Sequence, residues 1–250
     1  MAAEPYVTVR DLSVGWGGVP LLRGLDFDVL RGECFAILGG SGSGKSTLMR
    51  FLIGLEEPLA GSVDIAGVGA PSLHEGRPSF GVMFQGGALF GSLTLRENLA
   101  LPLRAWTDLD ERTVDVLVAA KLDLVGLGGA EELLPEELSG GMRKRAAIAR
   151  ALVLETDLLF LDEPSAGLDP VTAVELDDLI LGLVGELGIT VVLVTHELPS
   201  LFRVADRCLL LDRERGGIAT IGVPAELRDG ARDAFVRHFF NRSSPREVTT

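Results

Sequence analysis

Short, wholly apolar segments alternate with segments of helical spacing along most of the chain. The apolar segments are Cys34–Leu38, Leu158–Leu161 and Ile189–Val194. The helical segments include Thr47–Leu55 and Val171–Leu187. Because strands without a polar face must be buried on both sides, this alternation predicts an α/β core with a mainly parallel sheet.

The first thirty residues have a different pattern. Tyr6–Leu12 and Leu25–Leu30 alternate apolar and polar positions, which is typical of strands with one buried face. The turn residues between them are Gly15, Gly17, Gly18 and Pro20. We therefore predict an antiparallel edge subdomain. Trp16 lies at the tip of its turn region, where it could stack on an adenine ring or form part of the hydrophobic packing.

The middle of the chain changes to helices. Leu95–Leu103 (with a break at Pro102), Glu111–Leu122 and Gly140–Leu152 have helical spacing. We predict a helical subdomain at about 88–152 inserted into a core made of 1–87 and 153–225. Residues 226–250 then supply a C-terminal helix, Asp233–Phe240, and a polar tail. The shorter predicted strands are Ser62–Ile65, Phe80–Gln85, Arg207–Asp212 and Ile218–Ile221.

Composition and charge exclude several classes of protein. A chain of 250 residues with 47% hydrophobic residues can bury a substantial core, and its apolar runs are too short to span a bilayer. The N-terminus has no apolar segment typical of a secretory signal, so we expect a cytosolic protein. A net charge of −13 argues against a broad nucleic-acid surface. The local cluster Arg143-Lys144-Arg145 is interpreted as a solvated helix face.

The two cysteines, Cys34 and Cys208, both lie inside apolar segments. This placement predicts two buried thiols in a reducing compartment rather than a disulfide or a metal site.

A glycine-rich phosphate loop follows the first apolar strand. Its residues are Gly39, Gly40, Ser41, Gly42, Ser43, Gly44, Lys45, Ser46 and Thr47. The glycines allow successive N–H groups to surround a polyphosphate, and the following helix adds its positive N-terminal end. Lys45 is predicted to reach the β- and γ-phosphates, and the Ser46 hydroxyl to bind Mg²⁺. ATP and Mg²⁺ are the expected cofactors.

Polar residues also follow three other apolar strands, and active groups in parallel sheets collect at such strand ends. Asp162 suits an outer ligand of Mg²⁺, and Glu163 suits the carboxylate that polarises the attacking water. His196 could hydrogen-bond the γ-phosphate or be structural. Gln85 could be a strand-end hydrogen-bonding residue or a sensor of metal and nucleotide. These groups together predict phosphoryl transfer.

The segment Leu138-Ser139-Gly140-Gly141-Met142 opens a helix, and the sequences DEP, SAGLDP and VTH follow it in that order. The combination resembles the nucleotide-binding subunits of ABC transporters across nearly the whole chain. The resemblance implies an ATPase that forms a head-to-tail dimer, in which Ser139, Gly140 and Gly141 complete the partner's γ-phosphate site. By the same resemblance, Trp16 stacks on adenine, Gln85 senses the permease, Asp169 links the two sites, and His196 is the γ-phosphate switch. Met142 departs from the family, which usually has glutamine there.

Two longer segments resemble one particular group of ABC ATPases. LSGGMRKRAAIARAL, and FQGGALFGSLTLRENLALPLR around Gln85, are similar to the ATPases of MCE-domain lipid transporters, the Mla type. This implies integral permease subunits and an MCE-domain protein as partners, at the cytoplasmic face of the bacterial inner membrane. A regulatory ABC ATPase that carries no solute is the alternative. DNA-repair ATPases with similar motifs have a long coiled-coil insertion, which the hundred or so residues between the phosphate loop and LSGG do not contain.

Overall fold

The computed structural model describes residues 4–72 and 76–241 and divides into two compact units. The first unit comprises Met1–Pro71 and Val192–Thr250, and the second comprises Ser72–Val191. The predicted polar tail, 242–250, lies outside the described residues. The helical subdomain predicted at about 88–152 does not correspond to either of these units, and its bounds stay a prediction.

The first unit begins with an antiparallel sheet of three strands in the order β2-β1-β4. Its strands are β1 (Pro5–Trp16), β2 (Val19–Leu30) and β4 (Ala60–Ile65). Val9 pairs with Phe27 on one side and with Val63 on the other. The apolar residues Val7, Val9, Leu12 and Val14 of β1 are buried, and the alternation slips by one residue between Val9 and Leu12, where the pairing is irregular.

The same unit contains the fully buried strand that precedes the phosphate loop. Its elements are β3 (Cys34–Gly39), α1 (Lys45–Leu52), α6 (Leu198–Val204), β8 (Arg207–Asp212), β9 (Gly217–Gly222), α7 (Pro224–Gly230) and α8 (Ala234–Asn241). β3 pairs with β8 in parallel, and β8 pairs with β9 antiparallel. The C-terminal helix α8 packs Val236 and Phe240 into a cluster with Leu38 and Leu210, so it is part of the core.

The second unit combines helices with two short parallel strands. Its elements are β5 (Gly81–Met83), α2 (Leu95–Trp106), α3 (Glu111–Leu124), a short 3₁₀ helix (Pro135–Glu137), α4 (Gly140–Leu152), β6 (Leu158–Asp162) and α5 (Pro170–Gly185). β5 pairs with β6 in parallel, with Val82 opposite Phe160. Strand β7 (Thr190–Val194) crosses the division between the units.

These elements confirm the predicted α/β class, in which wholly buried parallel strands alternate with helices. Two local predictions were wrong. Helix α2 continues through Pro102 for a further turn, to Trp106, where Thr107 Oγ1 donates to the Leu103 carbonyl. The strand expected at 80–85 covers only Gly81–Met83.

Both cysteines are buried and neither forms a disulfide, as expected. Burial raises the pKa of the Cys208 thiol to about 12, which disfavours the reactive thiolate. Across the described residues, we find no helix with both the length and the apolar character needed to cross a membrane.

Candidate functional site

The phosphate loop joins β3 to α1 in the first unit. Gly39 is the last residue of β3, and Gly44 adopts a left-handed conformation (φ 98°) immediately before the helix. Lys45 is the first residue of α1, and its Nζ donates to the carbonyls of Gly39 (2.9 Å) and Gly40 (3.2 Å). The lysine therefore lies over its own loop rather than extending into solvent.

Three features of this loop fit an anionic ligand. No side chain in the described part of the chain caps α1, and its first turn has no acidic residue. A Cβ on Gly39 would collide with Ser43 Oγ, and that buried hydroxyl lacks a hydrogen-bond partner among the described residues. A cavity of about 160 Å³ is lined by residues 42–47. Uncapped N–H groups, a hydroxyl and an ammonium are the donors that a polyphosphate requires.

Two other predicted site residues belong to the first unit. Trp16 ends β1 opposite Val19, and 52% of its surface is exposed, so one side of the ring is free to meet a ligand while the rest is covered by the protein. Strand β2 follows this turn, and its residue Leu22 packs close to the phosphate loop. A Cβ placed on Gly44 would lie 3.1 Å from the Leu22 side chain. His196 follows β7, is exposed, and places its Nε2 3.3 Å from a carboxylate oxygen of Glu197.

The second unit contains the paired carboxylates. Asp162 ends β6 and Glu163 follows it, and both are more than nine-tenths buried. Glu163 has a φ of +50°, a conformation that costs about 1–3 kcal/mol for a residue with a side chain. The Ala166 N–H donates to the Glu163 carbonyl (3.2 Å), which begins the turn toward Asp169. A buried carboxylate on a strained backbone is typical of functional sites rather than of packing.

The three basic residues that we interpreted as a solvated face have different environments. Arg143 is exposed, whereas Arg145 is partly buried, and its Nε has no hydrogen-bond partner among the described residues. Lys144, on α4, is half-buried, and its Nζ donates to the carbonyls of Gln85 (2.7 Å) and Glu163 (3.2 Å). Burial lowers the pKa of the Lys144 ammonium, and the charges of Glu163 and Asp162 oppose this shift. The interpretation of Lys144 as solvated was therefore wrong, because the helix directs it toward the end of β6.

The signature segment begins helix α4 and is exposed at Ser139 and Gly140. Ser139 caps the helix by accepting a hydrogen bond from the Met142 N–H (3.2 Å). Gly141 is buried, and a Cβ there would collide with Thr172. The glycine at 141 therefore has a packing role as well as any role in binding. Beside the segment, an open cavity of about 350 Å³ is lined by Gln85, Gly86, Gly87, Gly140, Arg143, Lys144, Ala166, Gly167 and Leu168.

Asp169 caps helix α5. Its carboxylate accepts from the N–H groups of Val171 (3.0 Å) and Thr172 (3.1 Å) and from the Thr172 hydroxyl (2.6 Å). These hydrogen bonds, the Thr172 hydroxyl first, hold the pKa of Asp169 below its usual value. The aspartate is thus ionised and fixed in place, whether or not it also links two subunits.

The predicted site residues are divided between the two units. The phosphate loop, Trp16 and His196 belong to the first unit. Those in the second are Gln85, Ser139, Gly140, Gly141, Asp162, Glu163 and Asp169. Sequence reasoning missed the backbone contacts of Lys144, and also those of Arg150, which donates to the carbonyls of Gly87 (3.0 Å) and Ala88 (2.6 Å). Arg150 could have been noticed as a charge inside the apolar run AAIARAL.

The fold and both groups of residues define a nucleotide-hydrolysing cassette, and comparison with known proteins identifies its family. The family model for the ABC transporter domain matches residues 22–166. The chain belongs to the ABC transporter family and is an ATP-binding ATPase cassette.

Two curated relatives are each 40% identical. The "probable ribonucleotide transport ATP-binding protein mkl" of Mycobacterium leprae matches over 94% of this chain and 68% of its own length. The "intermembrane phospholipid transport system ATP-binding protein MlaF" of Escherichia coli K12 matches over 82% of this chain and 78% of its own length. This agreement confirms the resemblance to the Mla-type ATPases, while the two names describe different substrates.

A solved structure gives the same fold. The ATP-binding cassette MJ0796, in a dimeric post-hydrolysis state bound to ADP and phosphate, superposes with a TM-score of 0.77 at 28% identity. The match covers 87% of this chain and 98% of that one.

Proposed function

We propose that this chain is the ATP-hydrolysing subunit of a transporter that moves phospholipid or a related lipid between bacterial membranes with an MCE-domain system. The observation that carries the proposal is the 40% identity to the phospholipid-transport protein MlaF over 210 residues. That relative is matched over more of its own length than the mycobacterial one. The protein then works at the cytoplasmic face of the inner membrane, held there by permease subunits.

The two groups of residues have separate tasks in this proposal. In the first unit, Lys45 and the loop N–H groups bind the ATP phosphates, and Trp16 stacks on adenine. His196 contacts the γ-phosphate. The Ser46 hydroxyl is a hard oxygen ligand of the kind that suits Mg²⁺, an ion that would neutralise phosphate charge. In the second unit, the carboxylate of Asp162 and the amide oxygen of Gln85 have the same ligand chemistry.

In the second unit, Glu163 orients and polarises the attacking water. Ser139, Gly140 and Gly141 at the start of α4 bind the γ-phosphate held by a second copy of the chain, and Asp169 lies at the contact between copies. The exposure of Ser139 and Gly140 supports this arrangement, since a helix N-terminus at the surface can receive an anion from another molecule.

The docking surface for the permease is the segment Ala88–Leu101, which we call the docking segment. Phe90 is 56% exposed, although its backbone is held firmly. The buried Asn98 side chain accepts from the Phe90 N–H (2.8 Å) and donates to the Phe90 carbonyl (3.1 Å). An aromatic ring kept in solvent by a buried amide is suited to insertion between apolar side chains of a partner.

Two other functions remain as second candidates. The mycobacterial relative, matched over 94% of this chain, bears a name that favours ribonucleotide transport. A regulatory ATPase that signals through a membrane partner would use the same site. The genes encoded beside this one would separate these functions, because a lipid system requires an MCE-domain protein.

The direct test is purification of the tagged chain from detergent-solubilised membranes, followed by identification of its partners and bound lipid. We expect permease subunits, an MCE-domain protein and phospholipid. Phe90→Asp should release the chain from membranes, whereas Val116→Asp, at an equally exposed position on α3, should not. Partners without an MCE-domain protein would contradict the lipid assignment, and retention of Phe90→Asp would place the docking surface elsewhere.

The shared site has its own test. A Lys45→Ala chain mixed with a Ser139→Arg chain should regain activity, because one of the two sites in each mixed dimer is then complete. If mixed dimers form and both chains stay inactive, head-to-tail sharing or the independence of the two sites is wrong. Linking an unmodified copy to the double variant separates these two explanations.

A further inference from the structure

Helix α4 holds the turn that connects strand β5 to the docking segment. This turn, Gln85–Ala88, is called the Gln85 turn below. Gly87 (φ 74°) and Ala88 (φ 50°) are both left-handed, so the turn includes a strained non-glycine residue. Such a conformation persists only where surrounding contacts fix it.

Two cations of α4 bind three backbone carbonyls of this turn. Lys144 Nζ donates to the Gln85 carbonyl at 2.7 Å. Arg150 donates through Nη2 to the Gly87 carbonyl (3.0 Å) and through Nη1 to the Ala88 carbonyl (2.6 Å). Between them, a Cβ on Gly87 would lie 3.4 Å from the Ala147 methyl, so the turn packs directly on the helix.

The same lysine also reaches the strand that presents the carboxylates. Its Nζ donates to the Glu163 carbonyl at 3.2 Å, and Glu163 is itself left-handed. One ammonium therefore joins two backbone positions that otherwise belong to different segments. Hydrogen bonds from charged donors contribute more than neutral ones, and a half-buried donor is less exposed to competing water.

We propose that Lys144 and Arg150 are positioning residues that keep the Gln85 turn and the Glu163 backbone in one arrangement, so that hydrolysis depends on Lys144 although it does not touch the substrate. The proposal rests on the proposed roles of Glu163 and Gln85. Lys144 holds the end of the turn nearest the carboxylate, and Arg150 holds the end that leads to Phe90. A partner seated on the docking segment would then act on Glu163 through this pair of cations.

The test separates positioning from binding and from general stability. Lys144→Met keeps the length of the side chain and removes its donors. We expect kcat for ATP to fall by on the order of 10–100-fold, since small displacements of reacting groups have effects of that size, with little change in ATP affinity. Lys144→Arg should recover most of the rate. Lys121→Met is the matched control, because Lys121 is a partly buried lysine of the same unit, pairs with Glu155 (2.8 Å), and has no part in the proposed site.

Hydrogen exchange provides a readout that does not depend on turnover. Amide exchange at 86–91 should rise in Lys144→Met and in Arg150→Met, and should stay unchanged in Lys121→Met. If Lys144→Met does not fold, Lys144→Gln, which retains an amide donor, should show the same separation of kcat from affinity to a smaller extent. Wild-type kcat, unchanged exchange, or an arginine variant no better than methionine would each overturn the proposal. If Glu163→Gln kept turnover, the role of Glu163 would fail, while the exchange result would still decide the role of the two cations.

Discussion

The phosphate loop and the end of strand β6 differ in how far their polar groups are hydrogen-bonded by the protein's own side chains. At the loop, α1 starts without a side-chain cap and the Ser43 hydroxyl has no partner among the described residues. At the β6 end, the neighbouring helices are capped by Ser139 and Asp169, and Lys144 binds the local carbonyls. The start of α1 and the Ser43 hydroxyl can therefore receive a ligand, although Lys45 already donates to carbonyls of its own loop. At the β6 end, the local helix starts and carbonyls are satisfied by the protein itself.

This difference assigns separate tasks to the two regions. Uncapped N–H groups cost stability unless an anion binds them, so the phosphate loop gains its stability from the nucleotide. In its proposed role Glu163 requires a fixed geometry, and its strained backbone is held by neighbouring caps and cation–carbonyl bonds. Changes at the loop should therefore affect binding, and changes at the β6 end should affect turnover.

The largest expected effect is at the β6 end. Glu163→Gln removes the proposed base and keeps the side-chain shape, so turnover should fall about 10²–10⁴-fold while ATP binding persists. Single-turnover hydrolysis and equilibrium binding of ATP measure the two quantities. Hydrolysis at the wild-type rate would show that the β6 end does not control turnover, and the assignment of separate tasks to the two regions would then be wrong.

The corresponding change at the loop is Lys45→Ala. Loss of a charged donor to phosphate corresponds to about 1.5–3 kcal/mol, so ATP affinity should fall roughly 10–150-fold. Isothermal titration with ATP measures it. An unchanged Kd with a lower kcat would show that Lys45 acts in chemistry rather than in binding.

A smaller effect tests the shape of the loop. Gly39→Ala places a methyl group against Ser43 Oγ, while a Cβ on Gly40 meets nothing within 4 Å. We expect Gly39→Ala to weaken ATP binding clearly more than Gly40→Ala, measured by titration of the two purified variants. Equal losses would mean that steric fit at Gly39 does not shape the loop.

The smallest effect concerns capping itself. Thr94 caps α2, because its Oγ1 accepts a hydrogen bond from the Glu97 N–H (3.2 Å). In return, the Glu97 carboxylate accepts a hydrogen bond from the Thr94 N–H (2.8 Å). Thr94→Ala should lower the free energy of unfolding by about 1 kcal/mol, measured by urea denaturation, with ATP affinity unchanged. A loss of ATP affinity would show that capping in the second unit also controls binding.

Sequence patterns predicted the class of fold and the chemistry of the site because both depend on local spacing. Strand β3 is apolar throughout, and β6 is apolar up to its last residue, Asp162. The phosphate loop is a continuous segment, and the left-handed backbone at Gly42 and Gly44 favours glycine. The failures came from tertiary contacts. Helix α2 continues past Pro102 although proline is a poor interior residue, and nothing in the local sequence distinguishes that outcome from a break.

The sequence by itself determined the phosphate loop, the strand-end carboxylates and the signature segment, since each is a run of consecutive residues. Only the tertiary structure decided which backbone groups each cation binds. Arg143 and Lys144 are adjacent in sequence, yet the exposed Arg143 donates to the nearby Leu138 carbonyl (2.9 Å), whereas Lys144 donates to the carbonyls of Gln85 and Glu163 on other segments. The reason is geometric: residues one apart on a helix differ in direction by about 100°, and packing alone determines what each direction meets.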